Sequence, residues 1–126
     1  MKVLITGENS YVGKNIGNFL LYKNIEVKYV SVRNGISEDE FTGVDTVVHC
    51  AAIVHKKEAK FATLYDKVNY ELTVDIAKKA KKKGVKQFVF MSTMAVYGKS
   101  QGEINSNTPL QPKTLYGESK LKAERA

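Results

Sequence analysis

The sequence contains one cysteine, two prolines and no tryptophan among its 126 residues. A single thiol cannot close an internal disulfide, so the fold must rest on its core, and this length suffices for one domain. Cys50 stands in the apolar run VVHCAAIV, the setting of a buried and inert thiol, and is compatible with a reducing compartment. No apolar stretch approaches the roughly 18 residues of a membrane span. The opening MKVLITG is too short for the apolar part of a secretory leader. These absences predict a cytoplasmic protein with no membrane partner. No residues are assigned to a metal.

Acids are the scarcer charge, 13 against 20 Lys and Arg, for a net charge of +7. Much of the excess lies in AKKAKKKGVK, residues 77–86, where lysines alternate with the apolar side of an expected helix. No aromatic side chains are interleaved there on which bases could stack. The run therefore reads as a solvated face, and no nucleic-acid partner is expected. A basic protein does suit an anionic, phosphate-bearing ligand.

Short β-branched or apolar runs alternate with segments of helical period. KVLITG is the first expected strand, followed by a helix from Tyr11 to Tyr22 with Val12, Ile16, Phe19 and Leu20 on one face. IEVKYVSV and DTVVHCAA are the second and third strands, joined by the acid-rich loop RNGISEDEFTG. A long helix is expected from Phe61 to Lys83, with Leu64, Val68, Leu72, Ile76 and Ala80 recurring every four residues and Gly84 as its stop. KQFVFMST is the fourth strand, Gly98 to Thr114 a loop, and a last helix begins near Leu115. This alternation predicts an α/β fold, a parallel sheet with helices on both faces in three layers.

Between the first strand and first helix stands TGENSYVG. Such a turn offers unpaired N–H groups and the positive end of a helix dipole to a pyrophosphate. Gly7 permits the tight turn and Gly13 close helix–strand packing. Ser10 stands where the pattern has its middle glycine; it can donate to phosphate but narrows the backbone's approach. A plain strand–helix turn is the alternative. At the end of the second strand, where an acid would bind the ribose hydroxyls of NAD, the sequence has VSVRN. Ser31 and Arg33 suit a 2′-phosphate better than a free hydroxyl. NAD or NADP is the expected cofactor, with NADP favoured; a surface arginine at a strand end is the alternative.

Tyr116 and Lys120, in YGESK, share a helix face. A phenol, ordinarily titrating near about 10, is a poor base at neutral pH. A lysine cation beside it favours the phenolate and makes the pair a candidate acid and base for a hydroxyl proton. Ser92 and Thr93, in MSTMAVYG, lie at the carboxyl end of the fourth strand, where ligands gather in open parallel sheets. A hydroxyl there could orient a substrate toward Tyr116, or could merely cap the strand–loop junction.

Together these residues resemble the extended short-chain dehydrogenase/reductase family of nucleotide-sugar epimerases and dehydratases. TGENSYVG matches its T-G-x-x-G-[FY]-[IV]-G turn except at Ser10, and DTVVHCAA matches D-x-V-[IV]-H-x-A-A. VNYELTVDIAKKAKKKGVKQFVFMSTMAVYG matches the long helix and next strand, and PLQPKTLYGESKLKAE the tyrosine segment. The resemblance implies a Rossmann-like doubly wound sheet spanning residues 1–126, truncated after the Tyr-Lys helix. It implies that Gly7, Ser10, Tyr11, Val12 and Gly13 form the phosphate turn and that Ala51 and Ala52 line the cofactor. Thr93 would orient the substrate, with Tyr116 and Lys120 as the catalytic pair and Lys120 also on the nicotinamide ribose. His49 is expected to be structural and Asn69 to hydrogen-bond while buried. The family's 4,6-dehydratases carry Thr-Asp-Glu where this sequence has Thr93, Met94 and Ala95, which favours an epimerase or reductase. A non-catalytic NAD(P)-binding module is the alternative. Family members continue into further strands and a domain that binds the sugar nucleotide. The resemblance therefore implies the front part of such an enzyme, with an exposed sheet edge through which two copies pair.

Overall fold

Lys2–Thr6 (β1), Glu26–Val30 (β2), Thr46–His49 (β3) and Gln87–Phe90 (β4) form one parallel sheet in the order β2-β1-β3-β4. The structure, a computed structural model, describes residues 1–54 and 59–126. Its helices are α1 (Tyr11–Tyr22), α2 (Ala62–Tyr65), α3 (Leu72–Lys82) and α4 (Leu115–Arg125), and a π-helical turn, Asp66–Glu71, joins α2 to α3. The chain divides into two compact units. Met1–Ala52 with Asp75–Met91 hold the sheet; Ile53–Val74 with Ser92–Ala126 form the second unit.

In the sheet unit, the steps β1 to β2 and β3 to β4 run outward in opposite directions. Right-handed crossovers then set α1 and α3 on opposite faces, which is the expected Rossmann-like doubly wound arrangement. Side chains alternate along each strand. Val3, Ile5 and Val48 make the core of one face, with Ile16 and Leu20 of α1 packed against it. The expected strands are longer than the observed ones: IEVKYVSV pairs only over Glu26–Val30, DTVVHCAA over Thr46–His49 and KQFVFMST over Gln87–Phe90. The residues that leave the ladder, Ser31, Ala51, Ala52, Ser92 and Thr93 among them, are at the carboxyl ends, where the chain must turn outward.

The expected apolar face of α1 needs correction. Val12 and Phe19 are exposed, while Gly13 and Gly17 are buried. A Cβ on Gly17 would fall on the Tyr29 hydroxyl. The helix thus seats its glycines toward the sheet, which leaves Val12 and Phe19 in solvent while Ile16 and Leu20 keep the core contact. The long helix is also shifted. Leu64 is exposed, and Tyr65, Asn69, Thr73, Ile76 and Ala80 are the buried series. The buried positions follow the ordinary helical repeat of about 3.6 residues, from which a strict four-residue repeat drifts toward the N-terminal end.

The lysine run is not simply a solvated face. Lys79 Nζ donates to Ile36 O at 2.9 Å, Lys82 pairs with Glu38 at 2.9 Å and Lys83 with Asp39 at 3.5 Å. From β2, Lys28 pairs with Glu40 at 2.6 Å. The β2–β3 connection contains a short 3-10 turn, Glu38–Phe41, capped by the Ser37 side chain, and buries Val32, Ile36, Phe41 and Val44. At the opposite edge, β4 is only half-buried, in contrast to the buried β3.

Asp45 ties three strand starts together. Its carboxylate accepts from Lys2 N at 2.9 Å, its carbonyl accepts from Lys86 N at 2.9 Å, and the Lys86 ammonium lies 3.8 Å from the carboxylate. The Lys2 amide, first, and the charge of Lys86 hold this carboxyl below the usual carboxylate range against an opposing desolvation effect. A lowered folded-state pKa gives stability that is present above the ordinary pKa and lost as pH falls through the folded value. Melting temperatures measured from pH 7 to pH 3 should therefore fall more steeply for the wild type than for Asp45→Asn; parallel slopes would refute this role.

Candidate functional site

The residues singled out from the sequence form two groups, one in each unit. In the sheet unit, β1 ends at Thr6 and Gly7 turns with φ +79°, a conformation that glycine adopts without strain. A Cβ there would stand 2.9 Å from Ala51 N and 3.0 Å from Cys50 C, so the turn lies directly on the Cys50–Ala51 peptide. A Cβ on Gly13 would stand 2.6 Å from Gly7 O, which closes the start of α1 onto the same turn.

Ser10 is the N-cap of α1: its Oγ accepts from Gly13 N at 2.9 Å, and its own N–H donates to Gly7 O at 2.9 Å. Of the four N–H groups that a helix start leaves without intrahelical partners, those of Ser10 and Gly13 are thus committed. The N–H groups of Tyr11 and Val12 remain for an anion, and the first turn of α1 holds no acidic residue to oppose one. Because Ser10 Oγ accepts from Gly13, its hydroxyl proton is available to a phosphate oxygen. The turn therefore fits a pyrophosphate by donor set and dipole. Ala51 and Ala52 are half-buried at the end of β3, and Ser31 and Arg33 are exposed after β2, with Arg33 N 3.5 Å from Ser31 Oγ.

In the second unit, α4 starts at the N-cap Thr114, whose Oγ1 accepts from Gly117 N at 3.0 Å. Tyr116 is half-buried and Lys120, one turn on, is 1% exposed. A Cβ on Gly117 would stand 2.7 Å from Ala95 O. That close approach sets the Tyr116 turn against the short 3-10 turn Met94–Tyr97. Thr93 caps this turn, its Oγ1 accepting from Ala95 N at 3.1 Å. Thr93 thus performs the capping role weighed above and keeps its hydroxyl proton for another acceptor. Ser92, expected beside the cofactor, is exposed and donates to the Glu124 carboxylate of α4.

Asn69 links these parts. Its Oδ1 accepts from Ile53 N at 2.9 Å, and its Nδ2 donates to Ile53 O at 3.0 Å and to Ser119 Oγ at 3.1 Å. Ser119 in turn donates to Tyr116 O at 2.8 Å. The amide lies in the π-helical turn and is buried, so the distorted helix, the segment after Ala52 and the first turn of α4 are held by one side chain. Sequence reading marked Asn69 as buried and hydrogen-bonded but gave no sign of Ile53, Ser119, Gly117 or Thr114 as its supporting cast. The N-cap pattern of Thr114 before an amphipathic run was the available signal for the last of these.

A parallel α/β sheet with a glycine turn whose donors suit a pyrophosphate, and a helix bearing a Tyr-Lys pair, are features of the short-chain dehydrogenase/reductase kind. The chain belongs to the NAD dependent epimerase/dehydratase family, whose model matches residues 3–126. It is 31% identical to a UDP-glucose 4-epimerase of Vibrio cholerae over 98% of this chain and 45% of the epimerase. A short-chain dehydrogenase/reductase superfamily protein from Agrobacterium tumefaciens with bound NAD superposes with a TM-score of 0.85 at 26% identity, over 99% of this chain and 43% of that one. MoeE5 in complex with UDP-glucose and NAD gives a TM-score of 0.90 at 25% identity, over 99% of this chain and 47% of that one. The chain thus spans about half the length of the relatives it matches.

Two substitutions test the geometry. Asn69→Ala strands the Ile53 and Ser119 groups and should lower stability by about 1–3 kcal/mol, read from urea unfolding. Gly13→Ala should cost about 1–3 kcal/mol by overpacking against Gly7 O. If either variant unfolds at the wild-type midpoint, the corresponding contact is not what holds its turn.

Proposed function

We propose that this chain is the dinucleotide-binding portion of an NAD(P)-dependent nucleotide-sugar epimerase or reductase. The observation that carries the reading is the Gly7–Gly13 turn, which leaves the Tyr11 and Val12 N–H groups and the Ser10 hydroxyl for a pyrophosphate at the start of α1. Membership of an NAD dependent family and the NAD bound by two structurally similar proteins support it.

When bound, the dinucleotide would supply a reversible hydride acceptor. The chain's own residues supply the proton chemistry and the orientation. Tyr116 would take or return the proton of a substrate hydroxyl, Lys120 would favour the phenolate by its charge and would be the residue to hold the nicotinamide ribose, and Thr93 would orient the reacting oxygen with its hydroxyl proton. Met94 and Ala95 offer no acid or base for elimination of water, which favours epimerisation or reduction over dehydration. Retention of Thr93, Tyr116 and Lys120 favours an enzyme over a purely binding module. Ser31 and Arg33, exposed at the end of β2, favour NADP over NAD. The half-buried β4 at the sheet edge is the surface along which a second copy of the chain pairs.

Fluorescence titration of the chain with NADH and NADPH tests the cofactor reading. Binding of NADPH in preference to NADH, with Arg33→Ala weakening only NADPH by about tenfold through loss of a charge-assisted hydrogen bond, is the expected result. Failure of both nucleotides to bind would overturn it. Light scattering at high concentration should give the mass of a dimer, and a monomer would remove the β4 pairing.

A further inference from the structure

His49 is fully buried on β3, beside the rings of Phe88 and Phe90 of β4, at centroid distances of 6.1 and 6.0 Å. Its Nδ1 stands 2.6 Å from Thr6 Oγ1, the residue opposite it in the β1–β3 register. The same Thr6 oxygen lies 3.3 Å from Ala51 N, and Thr6 O lies 3.3 Å from Cys50 N. Thr6 therefore holds both peptide N–H groups that follow the end of β3, one through its carbonyl and one through its hydroxyl.

An amide N–H can only donate, so Thr6 Oγ1 is the acceptor for Ala51. The hydroxyl is fully buried, and its one proton is satisfied by donation to an unprotonated His49 Nδ1. This fixes the imidazole as the tautomer with its proton on Nε2, and it fixes the hydroxyl's lone pairs toward Ala51. Removing the acceptor at His49 would leave a buried hydroxyl proton with no partner and free the hydroxyl to turn its proton toward Ala51. The peptide so held is the one on which Gly7 packs, with only 2.9 Å between its added Cβ position and Ala51 N.

We propose that His49 is a positioning residue of the dinucleotide site: through the Thr6 hydroxyl it fixes the Cys50–Ala51 peptide against which the Gly7 turn closes. The proposal rests on the cofactor reading given above for its consequence, but its mechanism is a property of the chain alone. His49 does not touch the cofactor. It sets the separation between the phosphate turn and the strand end that lines it.

Three variants and one spectrum test this. His49→Leu keeps apolar bulk and removes the acceptor, His49→Asn restores an acceptor near the Nδ1 position, and Thr6→Val removes the hydroxyl at constant shape. Hydrogen exchange at the Ala51 amide should be accelerated about tenfold or more in His49→Leu and Thr6→Val, relative to the interior amides of β1, and should return toward wild type in His49→Asn. NADH or NADPH affinity, whichever the wild type shows, should fall about tenfold and recover in the same order. Should Leu or Val prevent folding, the ¹⁵N spectrum of the wild-type imidazole decides: Nδ1 must be the unprotonated, accepting nitrogen. A proton on Nδ1, or Ala51 exchange unchanged in a folded His49→Leu, would overturn the proposal. If the wild type binds neither nucleotide, the cofactor reading fails, while Ala51 exchange still reports whether His49 holds the strand end.

Discussion

Parallel pairing is the constraint from which the sheet unit follows. Because β1 and β3 run the same way, both leave the ladder at the same edge, and their last backbone groups would there lose their partners. Thr6 meets that need with two acceptors, its carbonyl for Cys50 N and its hydroxyl for Ala51 N. The two strands therefore stay together for two residues of the β3 segment beyond the last paired position. Only a residue without a side chain can then follow Thr6, because Gly7 must cross over the Cys50–Ala51 peptide. The glycine turn, the buried threonine and the histidine beside it are one solution to one backbone problem.

The second unit depends in the same way on one polar side chain. A regular helix between Ala62 and Lys82 would direct each backbone N–H to the carbonyl four residues earlier, with a single apolar stripe along its length. The π-helical turn breaks that repeat, and the buried Asn69 amide uses the altered direction to satisfy both backbone groups of Ile53 and the Ser119 hydroxyl. A buried amide with its hydrogen bonds made specifies geometry more tightly than an apolar residue could, since each partner must be placed within a few tenths of an ångström. Here the geometry it specifies is that of the first turn of α4, where Tyr116 sits.

Strand and helix order was legible because period two and period near four are written locally, and the glycine turn and Tyr-Lys pair were legible because their spacing is short. What could not be read depended on partners far along the chain. Asn69 answers to Ile53 and Ser119, 16 and 50 positions away, so the π-helical turn left no local trace. The face of α1 was misread for a different reason. Apolar periodicity weights Phe19 and Val12, whereas the packing was decided by the absence of side chains at Gly13 and Gly17. The Ser92 hydroxyl turns to Glu124, a direction no strand pattern encodes.

The β2–β3 connection shows how this sheet edge is kept in order. Its ion pairs to Lys28, Lys82 and Lys83 are largely at the surface, and pairs of that kind contribute about 0–1 kcal/mol each. They cannot be what holds the segment down. Val32, Ile36, Phe41 and Val44, all buried, supply that, at about 1.5–3 kcal/mol for each fully buried apolar side chain. The lysines choose among the ways such a segment could lie, by matching the acids of Glu38–Phe41 to one end of α3. Val32 is the first of these anchors and stands between Ser31 and Arg33. Its burial turns both neighbours outward, so the packing that secures the connection also presents the hydroxyl and the guanidinium together.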